Sequence, residues 1–102
     1  MSTLDRPNRQ GYEISIHARP DGSFQAAYIQ LHESESGRTQ TIQPNTILLD
    51  RDHADRVIGI EILTPIPRAA LEALTVHLDL SDQVLFQQFI EKYAPPSLFI
   101  SQ

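Results

Sequence analysis

Cysteine is absent from the 102-residue chain, which excludes a disulfide framework, a thiolate nucleophile and any cysteine metal site, and leaves the redox compartment open. Basic residues are few. Eight Lys and Arg stand against thirteen Asp and Glu, for a net charge of -5, and Lys92 is the only lysine. The electrostatic footprint of a nucleic-acid binder is missing, and nucleic acid is not an expected direct partner. The four glycines, Gly11, Gly22, Gly37 and Gly59, are scattered, so no glycine-rich phosphate cradle exists and no cofactor is expected. Long apolar runs are also lacking. The opening residues MSTLDRPNRQ have no apolar stretch of the signal-peptide kind, and nothing later approaches the ~20 apolar residues of a membrane span. The expectation is a cytoplasmic protein with no membrane partner.

A chain of this length fits one domain over residues 1–102 that buries roughly 60–70% of its unfolded surface. Residues 1–10 are polar and without periodicity and read as a loose terminus. Residues 11–64 alternate as strands do, and residues 65–102 are rich in helix formers.

The centre of the pattern is Thr46 to Leu63, TILLDRDHADRVIGIEIL, in which two apolar runs flank a polar turn, as in two adjacent antiparallel strands. Ile58, Ile60 and Ile62 share one strand face by their spacing of two, with Val57, Gly59, Glu61 and Leu63 on the other. Upstream, Tyr12, Ile14 and Ile16 alternate with polar residues and lead into the turn Arg19-Pro20-Asp21-Gly22. Ser23 to Leu31 carries Phe24, Ala26 and Tyr28 on one side and Ala27, Ile29 and Leu31 on the other. His32 to Arg38 reads as a loop, and Thr39 to Gln43 as a short strand, ended by Pro44.

Pro65 and Pro67 stop the sheet, and Pro67 suits the first turn of a helix running to about His77. A second helix follows, with Ser81 as N-cap, Leu80 placed to staple against Leu85, and an amphipathic stripe of Leu85, Phe86, Phe89, Ile90 and Tyr93. Leu98-Phe99-Ile100 is an apolar remnant that adds a strand or covers an edge. The fold class is therefore α+β: an antiparallel meander sheet of four to five strands followed by two helices, the second amphipathic and packed on the sheet.

Ala26 to Leu31, the strand Thr39 to Gln43, Ile47-Leu48-Leu49-Asp50 and above all Gly59-Ile60-Glu61-Ile62 resemble a small bacterial family, domain of unknown function 2283. The resemblance runs from about Tyr12 to Leu63. Glu13 stands where the family usually has aspartate, and Ser23-Phe24-Gln25 where it has an alanine-aspartate pair before the tyrosine strand. The family implies a small antiparallel sheet with no established activity, encoded beside relatives of bacterial RNA-cleaving toxins, which favours a partner-binding role.

Other constellations carry less. Asp50, Asp52 and Asp55, with Glu61 eleven residues after Asp50, echo a calcium loop, but Asp55 stands where that loop needs glycine and Glu61 falls inside a strand. His17, His32, His53 and His77 have no spacing that forces convergence on a metal, so no metal is expected. A carboxylate/histidine site would gather Glu61, His32 and His53, the only catalytic candidates. Glu61 either sits partly buried in the hairpin strand or simply faces solvent.

Two functional classes follow. The leading one is a non-catalytic interaction module that forms a homodimer or binds a protein partner through the second sheet face, with Phe24, Tyr28, Leu48, Val57 and Leu63 as interface candidates, in a regulatory or antitoxin-like role. The alternative is a small hydrolase or isomerase-like enzyme on the three candidates above.

Overall fold

Strand order follows hydrophobicity. The computed structural model describes residues 13–100; the expected loose terminus over residues 1–10 lies outside them. Five strands, β1 (Glu13–Ala18), β2 (Phe24–Gln30), β3 (Ser36–Gln43), β4 (Ile47–Asp52) and β5 (Val57–Ile62), form one antiparallel sheet in the order β1-β2-β5-β4-β3. The most apolar strand, β5, takes the centre, where both its edges are paired. The polar β1 and β3 take the edges. The sheet is thus a hairpin, β1–β2, joined to a three-strand meander, β3–β4–β5, with the last strand of the meander beside β2.

Turn chemistry sets these connections. Gly22 adopts φ 88° and donates its amide to the Arg19 carbonyl, while Asp21 accepts from the Ser23 amide. Asn45 takes a positive φ in the β3–β4 turn. In the β4–β5 turn Asp52 Oδ1 accepts from the amides of Ala54 and Arg56, and these bonds hold its carboxyl below the ordinary range. Of the aspartates that echo a calcium loop, Asp52 is therefore bonded to the turn backbone, Asp55 accepts from Arg38 and Asp50 lies within β4, and β3 begins at Ser36, inside the stretch expected to be loop.

Two helices follow, α1 (Ala69–Thr75) and α2 (Leu80–Lys92), then a 3-10 turn at Pro96–Leu98. The N-cap of α2 is Asp79, which accepts from the Asp82 amide at 2.9 Å. Ser81 is not the cap. Leu80, expected as a staple, is 78% exposed, and Tyr93 lies at the C-cap and is exposed. The rest of the stripe packs inward: Phe86 and Phe89 stack and are buried, with Leu85 and Ile90 partly so.

One hydrophobic cluster joins sheet and helices. Ala27, Ile29, Leu31, Ile47, Leu49, Ile60 and Ile62 from the sheet meet Ala70, Leu74, Leu78, Phe86 and Phe89 from the helical layer. The C-terminal remnant completes it. Leu98 is fully buried, Ile66 and Phe99 form a parallel bridge, and the Phe24 amide donates to Ser97 Oγ at 2.8 Å. Both helices therefore lie against the same face of the sheet.

Candidate functional site

The face of the sheet turned away from the helices is built in rows by the strand register. One row runs Ser15, Tyr28, Glu61, Leu48, Thr41, and the next Glu13, Gln30, Gly59, Asp50, Thr39. Tyr28 crosses diagonally between them. A Cβ placed on Gly59 would lie 2.0 Å from the Tyr28 hydroxyl oxygen and 2.6 Å from the ring carbon bearing it, so the ring occupies the space that any side chain at 59 would need. Through that space the Tyr28 hydroxyl reaches Asp50 and donates to Oδ2 at 2.8 Å, while Thr39 donates to Oδ1 at 2.8 Å. Burial, and then the hydrogen bond that the Asp50 carboxylate accepts from it, push the Tyr28 phenol well above its ordinary value. Tyr28 is therefore held protonated near neutral pH as a hydrogen-bond donor to Asp50.

Around this latch the face is mixed. Tyr28 and Leu48 are half-buried and Leu63 is 36% exposed. Between Tyr28 and Leu48 stands Glu61, half-buried, its side chain in no hydrogen bond or ion pair among the described residues. Glu61 is thus a carboxylate set in a partly apolar surface, neither wholly buried nor freely solvated.

Two of the five interface candidates lie elsewhere. Phe24 and Val57 are 1% and 4% exposed and belong to the core. Each is turned over by a bulge. In β2 the register passes from Ala26 opposite His17 to Phe24 opposite Ala18, leaving Gln25 as the extra residue. In β5 it passes from Gly59 opposite Asp50 to Val57 opposite Arg51, leaving Ile58. The Ile58 carbonyl there accepts from the amides of both Leu31 and His32. One inserted residue reverses the inward–outward alternation beyond it, so Phe24 and Val57 face the helices while Ile58 is buried apart from the main cluster.

The three catalytic candidates do not converge. Glu61 lies on the open face. His32, just past β2, turns toward the helical layer, where its Nε2 lies 2.8 Å from Oδ1 of Asp82. His53 sits on the β4–β5 turn, 3.9 Å from an exposed Glu35 carboxylate oxygen. The Asp82 partnership was not legible in the sequence, because Asp82 reads as an ordinary first-turn acid. It is only 2% exposed, and burial raises its carboxyl above the ordinary range, an effect the His32 ring partly offsets. No serine or threonine hydroxyl bonds the His32 ring among the described residues, so the pair orients an imidazole without presenting a nucleophile. No group of three or more metal-ligating side chains gathers among the described residues, and no described helix is long and apolar enough to cross a membrane.

The residues that the latch brings together, Tyr28, Asp50 and Gly59, together with Glu61, are the ones that carried the family resemblance. No curated protein and no solved structure matches the chain. A family model does: residues 21–64, from the β1–β2 turn to the end of β5 and thus without β1, match the family described as Protein of unknown function (DUF2283), and over that segment the chain is DUF2283-like.

Proposed function

We propose that the protein is a non-catalytic interaction module whose working surface is the open face of the sheet, and that it binds a protein partner there. The observation that carries this reading is the placement of both helices on one face, which leaves Tyr28, Leu48 and Leu63 on the other with Glu61 among them. Antiparallel sheets tolerate a wet face, and at the β3 edge this one is as polar as that role requires, with Thr39 and Thr41. Its centre is different. A tyrosine and two leucines surrounded by polar groups have the make-up of an interface core and rim.

Glu61, set in that surface within a chain of net charge -5, favours a partner that presents basic side chains beside apolar ones. A regulatory, antitoxin-like role is consistent with this, since an RNA-cleaving partner would carry a basic surface; that part of the reading rests on family analogy alone. The enzyme alternative on Glu61, His32 and His53 is favoured by no observation.

The test compares immobilised wild type with a Leu48→Lys, Leu63→Lys double variant and with Glu61→Lys, each confirmed folded by circular dichroism, in capturing proteins from the source cells. The expected result is a basic protein retained by wild type and lost from both variants. Identical retention by all three would remove the open face as the working surface.

A further inference from the structure

Glu61 differs from the acids around it. Both oxygens of Asp50 are occupied, Oδ2 by the Tyr28 hydroxyl and Oδ1 by Thr39. Asp52 bonds the backbone of the β4–β5 turn, and Asp55 takes Arg38. The Glu61 side chain, half-buried at the centre of the open face, is in no hydrogen bond or ion pair among the described residues. A carboxylate drawn partly out of water without a partner is unfavourable, and a cation placed beside it relieves that cost.

The described arginines are all engaged elsewhere. Arg19 donates to the Phe24 carbonyl, Arg38 to Asp55 and Arg51 to Gln40, while Arg56 lies 3.6 Å from Asp52 and Arg68 sits over the Phe99 ring. The single lysine, Lys92, is in the last turn of α2, in the layer on the other face of the sheet. Among the described residues no arginine or lysine is left for Glu61. The flanks of Glu61 indicate which cation suits it. Its register partners are Tyr28 on β2 and Leu48 on β4, and directly opposed residues place their Cβ atoms about 4.5–5.5 Å apart. The Tyr28 ring is held in one place by the missing side chain at Gly59 and by the bond to Asp50. It is only half-buried, so part of the ring remains accessible beside the carboxylate.

The geometry points to an arginine side chain of the protein partner as the group that Glu61 receives, its guanidinium paired with the carboxylate and lying against the Tyr28 ring, its methylene stem along Leu48. This rests on the reading of the open face as the working surface. A guanidinium suits these features better than an ammonium does. Its planar fork meets a carboxylate through two parallel bonds, it stacks on aromatic rings, and it is more weakly hydrated, so it loses less on entering a partly apolar surface. A lysine supplies the charge but neither the fork nor the plane. The latch then has a function beyond stability: with the ring already fixed over Gly59, no ordering of Tyr28 has to accompany binding. A second copy of the same face would bring another Glu61 and Asp50 and no unengaged arginine or lysine among the described residues, so charge complementarity favours a different chain.

Two capped peptides serve as probes, acetyl-Leu-Arg-Leu-amide and acetyl-Leu-Lys-Leu-amide, each titrated at low salt into the isotopically labelled full chain and followed by amide chemical shifts. The expected result is saturable shifts confined to Tyr28, Leu48, Glu61 and their strand neighbours, with the arginine peptide bound at least about threefold more tightly than the lysine peptide, an advantage of the size of an exposed cation–π contact. Glu61→Gln, confirmed folded by its own spectrum, should lose that preference. The Arg6→Gln, Arg9→Gln variant, which removes the two arginines outside the described residues, should bind the arginine peptide as wild type does; tighter binding by this variant would make the chain's own arginine the occupant and overturn the partner. Absence of localised shifts, an equal response to the two peptides, or an unchanged preference in folded Glu61→Gln overturns the proposal as well. If the preference fails while Leu48→Lys, Leu63→Lys still loses the captured protein, the open face remains the working surface and only the arginine is wrong. A Glu61-dependent preference beside unchanged capture keeps the arginine site and overturns the captured protein as its source.

Discussion

Gly59→Ala isolates the Tyr28 latch. The added methyl would fall 2.0 Å from the Tyr28 hydroxyl oxygen and 2.6 Å from its ring carbon, far inside contact distance, so the ring has to swing off the sheet. Leaving breaks the 2.8 Å bond to Asp50. A hydrogen bond to a charged acceptor is worth about 1.5–3 kcal/mol, and the half-exposed position of Tyr28 places this one at the lower end. Lost burial of part of the ring adds about 1 kcal/mol at roughly 25 cal/mol per Å² of apolar area. Against this, replacing glycine by alanine where the backbone is compatible stabilises by about 0.4–1 kcal/mol through the unfolded chain, and Gly59 has no positive φ that would oppose it. The net expectation is a loss of about 1–3 kcal/mol, with the midpoint of thermal unfolding lowered by about 4–8 °C for each kcal/mol. Urea denaturation of wild type, Gly59→Ala, Tyr28→Ala and the double variant closes a cycle. In the Tyr28→Ala background nothing fills the space above position 59, and Gly59→Ala should become neutral or mildly stabilising. A penalty of the same size in both backgrounds would refute the latch. A second readout is spectrophotometric titration of tyrosine: the phenol held high by burial and Asp50 should return toward its ordinary value in Gly59→Ala.

Further predictions concern the helical layer and its contacts with the sheet. Asp79→Ala removes the α2 cap and should cost about 1 kcal/mol at neutral pH in chemical denaturation. The Asp79 carboxyl is lowered by the Asp82 amide and the Ser81 hydroxyl, so its contribution is present above the ordinary value of 3.8 and is lost as pH falls through the lower folded value; the two proteins should converge in acid. Asp82 has the opposite sign. Its carboxyl is raised by burial, so ionisation works against the fold, and wild type should lose stability relative to Asp82→Asn as pH rises from 3.8 through the higher folded value. A flat difference across that range would count against the buried carboxyl. Leu74→Ala, at a fully buried position, should cost about 2–5 kcal/mol. Val76→Ala, two residues on and 76% exposed, should stay within about 0.5 kcal/mol.

The sequence by itself determined the alternation of the strands and the two helices, because these depend on local spacing, and it carried the resemblance that the family model matches over residues 21–64. Alternation set Ile60 and Ile62 on one strand face, Pro65 and Pro67 ended the sheet, and Phe86 and Phe89 belonged to the apolar stripe of α2. It also held the members of the latch, since Tyr28, Asp50, Gly59 and Glu61 carried the resemblance, but not their geometry. That Gly59 is glycine so that a ring can lie over it depends on β2 and β5 being neighbours, a pairing between segments remote in the chain. Phe24 and Val57 could not be placed from spacing, because a single bulged residue reverses every face beyond it and leaves no mark in composition. The cap expected at Ser81 is instead Asp79, because the path of the chain into α2, which local residue type does not record, starts the helix at Leu80. The burial of Asp82 against His32 was decided in the same way, by tertiary packing that brings the end of β2 to the first turn of a helix fifty residues later. Local periodicity is written in neighbouring residues; which faces stay open, and which side chains meet across them, is set by the order of the strands.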